Sequence, residues 1–331
     1  MDDENFGNRN KRGDWAPHKL ASVAPLWDWP PQPIKLIKWL PHYFLPYDLI
    51  WVITALFWWN YTLPDVEVMK TMSMGWVTRL FVINTVALFA FFGIYELRLY
   101  IQRAQGLRFK YNARWPSENK SDVFWFKSQN VDSCLRILFH AMPIWTAIEV
   151  VILYAFANGY IPWLQFASHP WYLLSIAMVI PLIHETHFYL VHRLIHIPFL
   201  YKHVHSVHHN SVNPSPYSSL SMHPLELVLY LGMAFWHVLI PSNPILALYQ
   251  LHRAGFGAIP GHIGFDKIVI GESGMETHAY IHYLHHKYFE VNYGDGLIPF
   301  DRWFGTFHDG SKEAQAKMDE RYAKKVAKAN V

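Results

Sequence analysis

A single cysteine, Cys134, occurs in 331 residues. That excludes a disulfide framework and any zinc or iron–sulfur site built from thiolates, and it fits a reducing compartment. Charge is scarce too: Asp, Glu, Lys and Arg make up 16% of the chain, and a net charge of +3 is too small to point to nucleic acid. No internal repeat and no long low-complexity run is present. With 52% apolar and 17% aromatic residues, disorder, a collagen-like chain and a charged coiled coil are all excluded. What the chain does have is histidine. Its 21 imidazoles nearly equal the 25 acidic side chains.

The missing charge is concentrated in apolar segments. Val150 to Ile183 runs for 34 residues without Lys, Arg, Asp or Glu, interrupted by Asn158-Gly159 and Pro162. With Ile137 to Ile148 before it and Phe188 to Val191 after it, this stretch supplies two spans of the ~20 residues that a hydrocarbon core of ~30 Å requires. Leu49 to Pro64 and Leu80 to Tyr95 are also uncharged and form a preceding hairpin. Leu227 to Leu251 is uncharged but broken by Pro241 and Pro244, and reads as a re-entrant or interfacial hairpin or a shorter pair of spans. The expected fold is therefore an all-α integral membrane protein with about four transmembrane helices in two hairpins. A mean hydropathy of only +0.05 leaves a large soluble α protein as the alternative.

Loop charge orients the hairpins. Arg98 to Arg136 carries eight Lys or Arg, against Lys70 alone between Asp65 and Thr78 and none between Asn158 and Pro170. The positive-inside rule makes the basic loop cytoplasmic and puts both termini on that side. The resulting division is a cytoplasmic and interfacial segment 1–46, transmembrane hairpins 47–191 with the basic loop at 98–136, a cap 192–310 with a hairpin at 227–251, and a charged tail 311–331. The start of the chain lacks the apolar stretch of a cleaved signal.

Four histidines precede residue 184, and the other 17 fall between His184 and His308, beginning where the fourth apolar segment ends. They form three boxes. His192-Arg-Leu-Ile-His196 stacks two rings on one helix face. His205-Ser-Val-His208-His209 confines three rings to an arc of ~100°. His282-Tyr-Leu-His285-His286 repeats that spacing, with His278 one turn earlier on the same expected face. Eight imidazoles exceed what one tetrahedral ion uses, so two metals sharing ligands between helices is the economical reading. Imidazole suits iron, zinc, copper or nickel alike.

In these pieces, and in Tyr201-Lys202, His223-Pro-Leu-Glu226, Asn292-Tyr-Gly294 and Asp301-Arg-Trp-Phe-Gly-Thr306, the chain resembles the sterol desaturase and fatty acid hydroxylase superfamily of integral membrane non-haem di-iron enzymes. The resemblance covers about residues 140 to 310. It implies a four-helix membrane scaffold under a cytoplasmic helical cap, two iron ions held by the box histidines, and O2-dependent hydroxylation or desaturation of a lipid. It also implies a ligand at His262, where such proteins place a histidine between the second and third boxes. The membrane would be the endoplasmic reticulum in a eukaryote and the inner membrane in a bacterium.

Other residues stand around this set. His223 and His278 are candidate ligands or ring-orienting partners, and Glu226, Asn292, Asp295 and Asp301 could hydrogen-bond ligand rings, although each also suits a cap or turn. His184-Glu185-Thr-His187 lacks the i, i+4 pair of a zinc protease, and ideal spacing turns His187 away from His192 and His196. His184 could lie near the site. His203, His237, His252 and His308 lack partners at useful spacing. No dinucleotide fingerprint is present, because Pro260 stands where Gly255-Phe-Gly257 needs a third glycine. Electrons must then come from a separate carrier and an NAD(P)H-dependent reductase. A zinc-dependent membrane metallohydrolase, or a metal carrier or sensor, remains the alternative.

Overall fold

The computed structural model describes residues 2–21, 23–118 and 120–329; the last two positions of the expected tail lie outside them. The chain is mostly helical, with α1 (Pro33–Phe44), α2 (Tyr47–Phe57), α3 (Met74–Tyr95), α4 (Gln129–Arg136), α5 (Met142–Ala157), α6 (Pro170–Ile195), α7 (Pro224–Leu231), α8 (Pro244–Gly255), α9 (Tyr280–Tyr288) and α10 (Lys312–Ala329). Two short antiparallel pairs accompany them. β1 (Gly7–Arg9) pairs with β2 (Trp15–Pro17), and β3 (Lys267–Ile270) with β4 (Ser273–Glu276).

Four helical stretches are long and apolar enough to cross a membrane: Pro33–Thr62, Met74–Ile101, Gln129–Ala157 and Pro170–Ile195. Their outward faces keep Ile53, Val86 and Ile94 at 55, 62 and 64% exposure, which costs nothing against lipid and would be a large apolar patch in water. The turn expected at Asn158-Gly159 is present. Gly159 takes φ +73°, a conformation open to glycine, and its N–H closes the end of α5 onto the Phe156 carbonyl. Pro170 then opens α6 in its first turn, where no N–H is needed. The first stretch begins at Pro33, inside the segment expected to be an interfacial lead-in, because α1 and α2 follow one another almost without a break.

Buried polar groups tie the bundle together. Asn84 on α3 donates to Glu149 Oε2 on α5 (2.6 Å), Trp145 Nε1 donates to the same oxygen (3.2 Å), and Trp58 Nε1 donates to Asn84 Oδ1 (2.9 Å). In hydrocarbon such groups have no water to turn to, so each needs its protein partner.

The segment 227–251 is broken as its prolines require, and neither half is long enough to span a membrane. α8 runs instead through the interior beside α2, α5 and α6, almost wholly buried. Gly255 makes this possible. A Cβ there would stand 1.7 Å from Trp145 Cζ3. Gly255→Ala should therefore destabilise the protein by ~1–3 kcal/mol through overpacking. The readout is a lower melting temperature in detergent, partly restored by adding Trp145→Leu.

The basic loop 98–136 and the histidine-bearing segment lie together. Tyr100 donates its hydroxyl to the carbonyls of Pro214 (2.8 Å) and Ile263 (3.0 Å), and Arg98 donates to the Val269 carbonyl (2.8 Å). Trp15 N–H donates to the Tyr111 carbonyl, so the N-terminal segment joins the same layer.

Candidate metal centre

α6 carries His192 and ends at His196. A helical segment at 198–209, part of it wound as a π-helix over Tyr201–His205, carries His205, His208 and His209, and α9 carries His282, His285 and His286. His262 closes a short helical turn, Ile259–His262. These nine imidazoles form two sets. His192, His196, His205, His209 and His285 make one, and His208, His262, His282 and His286 the other; within each set the ligand atoms lie within 4.8 Å of one another. The sets adjoin, with the rings of His209 and His286 at 4.9 Å.

Each HxxHH box is shared between the two. The i, i+4 pair His205 and His209 goes to the first set and His208 to the second, whereas His282 and His286 go to the second and His285 to the first. Neighbouring ring positions on a helix point ~100° apart, so one box faces two centres.

Ring orientation is fixed from outside. Nδ1 of His192 donates to the Tyr293 carbonyl (2.7 Å), that of His285 to the Val291 carbonyl (2.7 Å), that of His262 to the Ala258 carbonyl (3.0 Å), and that of His205 to Glu226 Oε1 (2.8 Å). A carbonyl can only accept, so the rings of His192, His262 and His285 carry their proton on Nδ1 and turn an Nε2 lone pair inward, as does His205 against an ionised Glu226. Facing lone pairs need a cation. His262 Nε2 lies 3.0 Å from His208 Nε2, 3.1 Å from His282 Nε2 and 3.2 Å from His286 Nε2. Nitrogens ~2.1 Å from a shared ion and ~90–110° apart would be separated by ~3.0–3.4 Å. In the other set, Nε2 of His196 and of His205 is buried without a partner. Each set could hold one ion.

Electrostatics favour the same state. Burial, with neighbouring imidazoles adding repulsion, holds His205, His208, His209, His282, His285 and His286 well below the ordinary imidazole value, and burial lowers His262 to about 4. Neutral rings with free lone pairs are ligands without first losing a proton.

The surrounding candidates separate by contact. Glu226 is the one that meets a ring directly. Asn292 and Asp301 do not touch an imidazole and act on the loop beside the rings instead. Asn292 donates to the Ile281 and His308 carbonyls (3.1 and 2.9 Å), and Asp301 accepts from the backbone N–H groups of Tyr293 (3.0 Å) and Gly294 (2.8 Å). This fixes the carbonyls of Val291 and Tyr293 that the rings use. Asp295 makes no ring hydrogen bond; its carboxylate stands 4.0 Å from His184 Nε2.

His278 is not on the expected face. α9 begins only at Tyr280, after His278 takes φ +57° as the chain leaves the β3–β4 hairpin, and the ring is exposed. His223 belongs to neither set, because it caps α7 by accepting from the Leu225 N–H (3.1 Å). His187 lies outside both, held between the Leu229 carbonyl (2.8 Å) and Trp236 Nε1 (3.2 Å). His203 is exposed, whereas His237 and His252 each meet a hydroxyl, of Ser242 (2.8 Å) and Thr54 (3.0 Å). His308 Nδ1 accepts from the Gly310 N–H (3.1 Å).

The spacing argument missed Glu185, whose carboxylate accepts from the N–H groups of Asp295 and Gly296 (3.2 and 3.3 Å), and the pair Arg253–Asp48 (2.8 Å). Their signal was available: each is a lone charge at the border of an apolar run. A cavity of about 250 Å³ joins Arg253 and Asp48 to the imidazoles, lined by Phe188, Val191, Ile195, Met222 and Ile281 among others, and Glu185 lines a second cavity beside it.

The Glu226–His205 contact carries a prediction. Glu226→Ala should lower metal affinity or turnover ~10–100-fold while leaving all nine imidazoles in place. Metal titration of the purified variant would show it, and affinity unchanged from that of the unaltered chain would contradict it.

Helices able to cross a membrane, topped by two adjoining sets of buried imidazoles that open on an apolar cavity, define a histidine-box membrane protein. Residues 177–306 match the family described as Fatty acid hydroxylase. The chain is similar to a Delta(7)-sterol 5(6)-desaturase of Aspergillus fumigatus, 28% identical over 57% of this chain and 54% of that one. It is 32% identical to an Arabidopsis thaliana protein bearing the name Delta(7)-sterol-C5(6)-desaturase 2, over 52% of this chain and 63% of the other. A Dictyostelium discoideum protein bearing the name methylsterol monooxygenase is 31% identical over 42% of this chain and 52% of its own. The chain thus spans only about half to three-fifths of the length of these relatives. No solved structure matches it significantly.

Proposed function

We propose that this chain is a membrane-bound, O2-dependent di-iron oxidoreductase that hydroxylates or desaturates a lipid, a sterol, a fatty acyl chain or a related molecule. The observation that carries the reading is the pair of all-histidine sets opening on an apolar cavity at the end of helices able to cross a membrane. The names of the relatives, sterol desaturases and a sterol monooxygenase, support it. Two irons, held by the five and the four histidines, would supply the redox capacity for activating dioxygen toward an unactivated C–H bond.

The protein's own groups do the rest. Glu226 and the carbonyls of Ala258, Val291 and Tyr293 hold protons on Nδ1 and keep Nε2 free. Phe188 lies against His192 with ring centroids 5.0 Å apart, and with Val191 and Ile281 it gives the cavity an apolar wall that excludes water and accepts a hydrocarbon. A zinc hydrolase would need a free carboxylate as general base beside the ion. Each set here is made of imidazoles alone.

Electrons would arrive from a separate carrier and an NAD(P)H-dependent reductase. A cytoplasmic side for the site, the basic loop at 98–136 and the N-terminal segment is supported by the positive-inside rule, since that loop packs with the histidine-bearing segment. Lipid profiling of a deletion strain against a complemented one tests the activity. A missing oxidised lipid restored by complementation is expected; identical profiles would count against it.

A further inference from the structure

The cavity has a polar end as well as an imidazole end. Asp48 is occupied: Oδ1 accepts from Arg253 Nε (2.8 Å) and from the Tyr249 hydroxyl (2.9 Å). The two terminal guanidinium nitrogens of Arg253 have no hydrogen-bond acceptor among the described residues. Asp295 complements them. Its backbone is fixed by Glu185, but among the described residues no donor reaches its carboxylate, which is 47% exposed to the cavities. His184 is buried, with Nε2 4.0 Å from Asp295 and Nδ1 unpartnered. All four residues line the wall that also bears His192, His205 and His208.

A second cavity of about 330 Å³ shares Asp48, Arg253 and Asp295 with the first. Five carboxylates line it, Asp48, Glu185, Asp266, Glu276 and Asp295, against two cations, Lys19 and Arg253. A carboxylate or phosphate brought to this junction meets the Asp295 carboxylate as well as Arg253. A hydroxyl meets both a donor and an acceptor, and satisfies both.

We propose that this junction is an alcohol-binding subsite: Arg253 donates to the oxygen of a substrate hydroxyl, Asp295 accepts its hydrogen, and the apolar body of the molecule extends along Phe188 and Val191 toward the imidazoles. His184 and His192 are eight residues apart on α6, which at 1.5 Å per residue is ~12 Å. The carbon presented to the metal centre is accordingly remote from the hydroxyl. The substrate class is a lipid alcohol, and a free fatty acid is disfavoured. This assignment rests on the reading of the cavity as the substrate site.

The test is equilibrium binding of radiolabelled probes to the purified full chain in detergent: cholestanol and octadecanol, the methyl ether of each, and stearate. At least one alcohol should bind, and its ether, which leaves Asp295 unpaired, should bind at least about tenfold more weakly, or ~1.4 kcal/mol. Whether cholestanol or octadecanol binds tells a sterol body from a straight chain. Asp295→Ala removes no side-chain hydrogen bond of the folded chain and should bring the alcohol down to the level of its ether while improving stearate binding. Arg253→Lys keeps the charge beside Asp48 and should weaken the alcohol too. Equal binding of alcohol, ether and acid, or an Asp295→Ala protein that still discriminates, would overturn the subsite and leave the cavity's role standing. No binding of any probe by protein holding its metals would overturn both.

Discussion

Alanine at His208 or at His285 is expected to abolish turnover, by at least about a thousandfold or ~4 kcal/mol in the barrier, in protein that still inserts and purifies. The two positions probe different sets. His208→Ala leaves three imidazoles in the four-membered set, and His285→Ala leaves four in the five-membered one. The first should therefore lose the ion of its own set more completely, taking iron from two equivalents per chain toward one, whereas the second should keep more metal for the same loss of activity. His203→Ala, on the exposed side of the same helical segment, should change neither. Iron content by elemental analysis, alongside product formation, reads both. Two metals and intact activity in both alanine variants would remove the basis for the di-iron assignment.

Stripping the metal should cost the protein much of its stability. Nine rings withdrawn from water have traded hydration for lone pairs that face one another at 3.0–3.2 Å in the second set, and without a cation the exchange is unfavourable. An ion at a thousand times its dissociation constant contributes ~4 kcal/mol to the folded state, so two contribute roughly 8. In a chain of this size that corresponds to a fall in melting temperature on the order of 10 °C. A chelated sample compared with an iron-reconstituted one in the same detergent would show it, and superimposable melting curves would mean that the imidazoles are content without metal.

Much of the fold could be read before any coordinates, because membrane helices obey simple constraints. Uncharged runs, the Asn158-Gly159 turn and the prolines at 241 and 244 each act locally, and the structure places breaks and helices there. Histidine spacing was informative for the same reason, since the i, i+3, i+4 offsets describe a helix face. It failed where no helix exists. His278 was placed by extending α9 backwards across a residue whose φ is +57°, and His223 sits in a cap position that spacing does not mark. The Val291 and Tyr293 carbonyls were invisible in principle, because any residue type has a carbonyl and only the tertiary path brings it to a ring. Glu185, Asp48 and Arg253 were passed over for a different reason: a lone charge beside an apolar run reads as a boundary until a cavity is seen behind it.

The sharing of each box between two centres has a consequence for the chain as a polymer. The first set joins His209 to His285, 76 residues away, and the second joins His208 to His262, 54 residues away. Two ions so placed are cross-links. In the chain-entropy account, closing loops of that length restricts the unfolded ensemble by roughly 4 kcal/mol each, as much as a disulfide would. A protein whose only cysteine is Cys134 could obtain through imidazole what secreted proteins obtain through sulfur, and could do so in a reducing compartment.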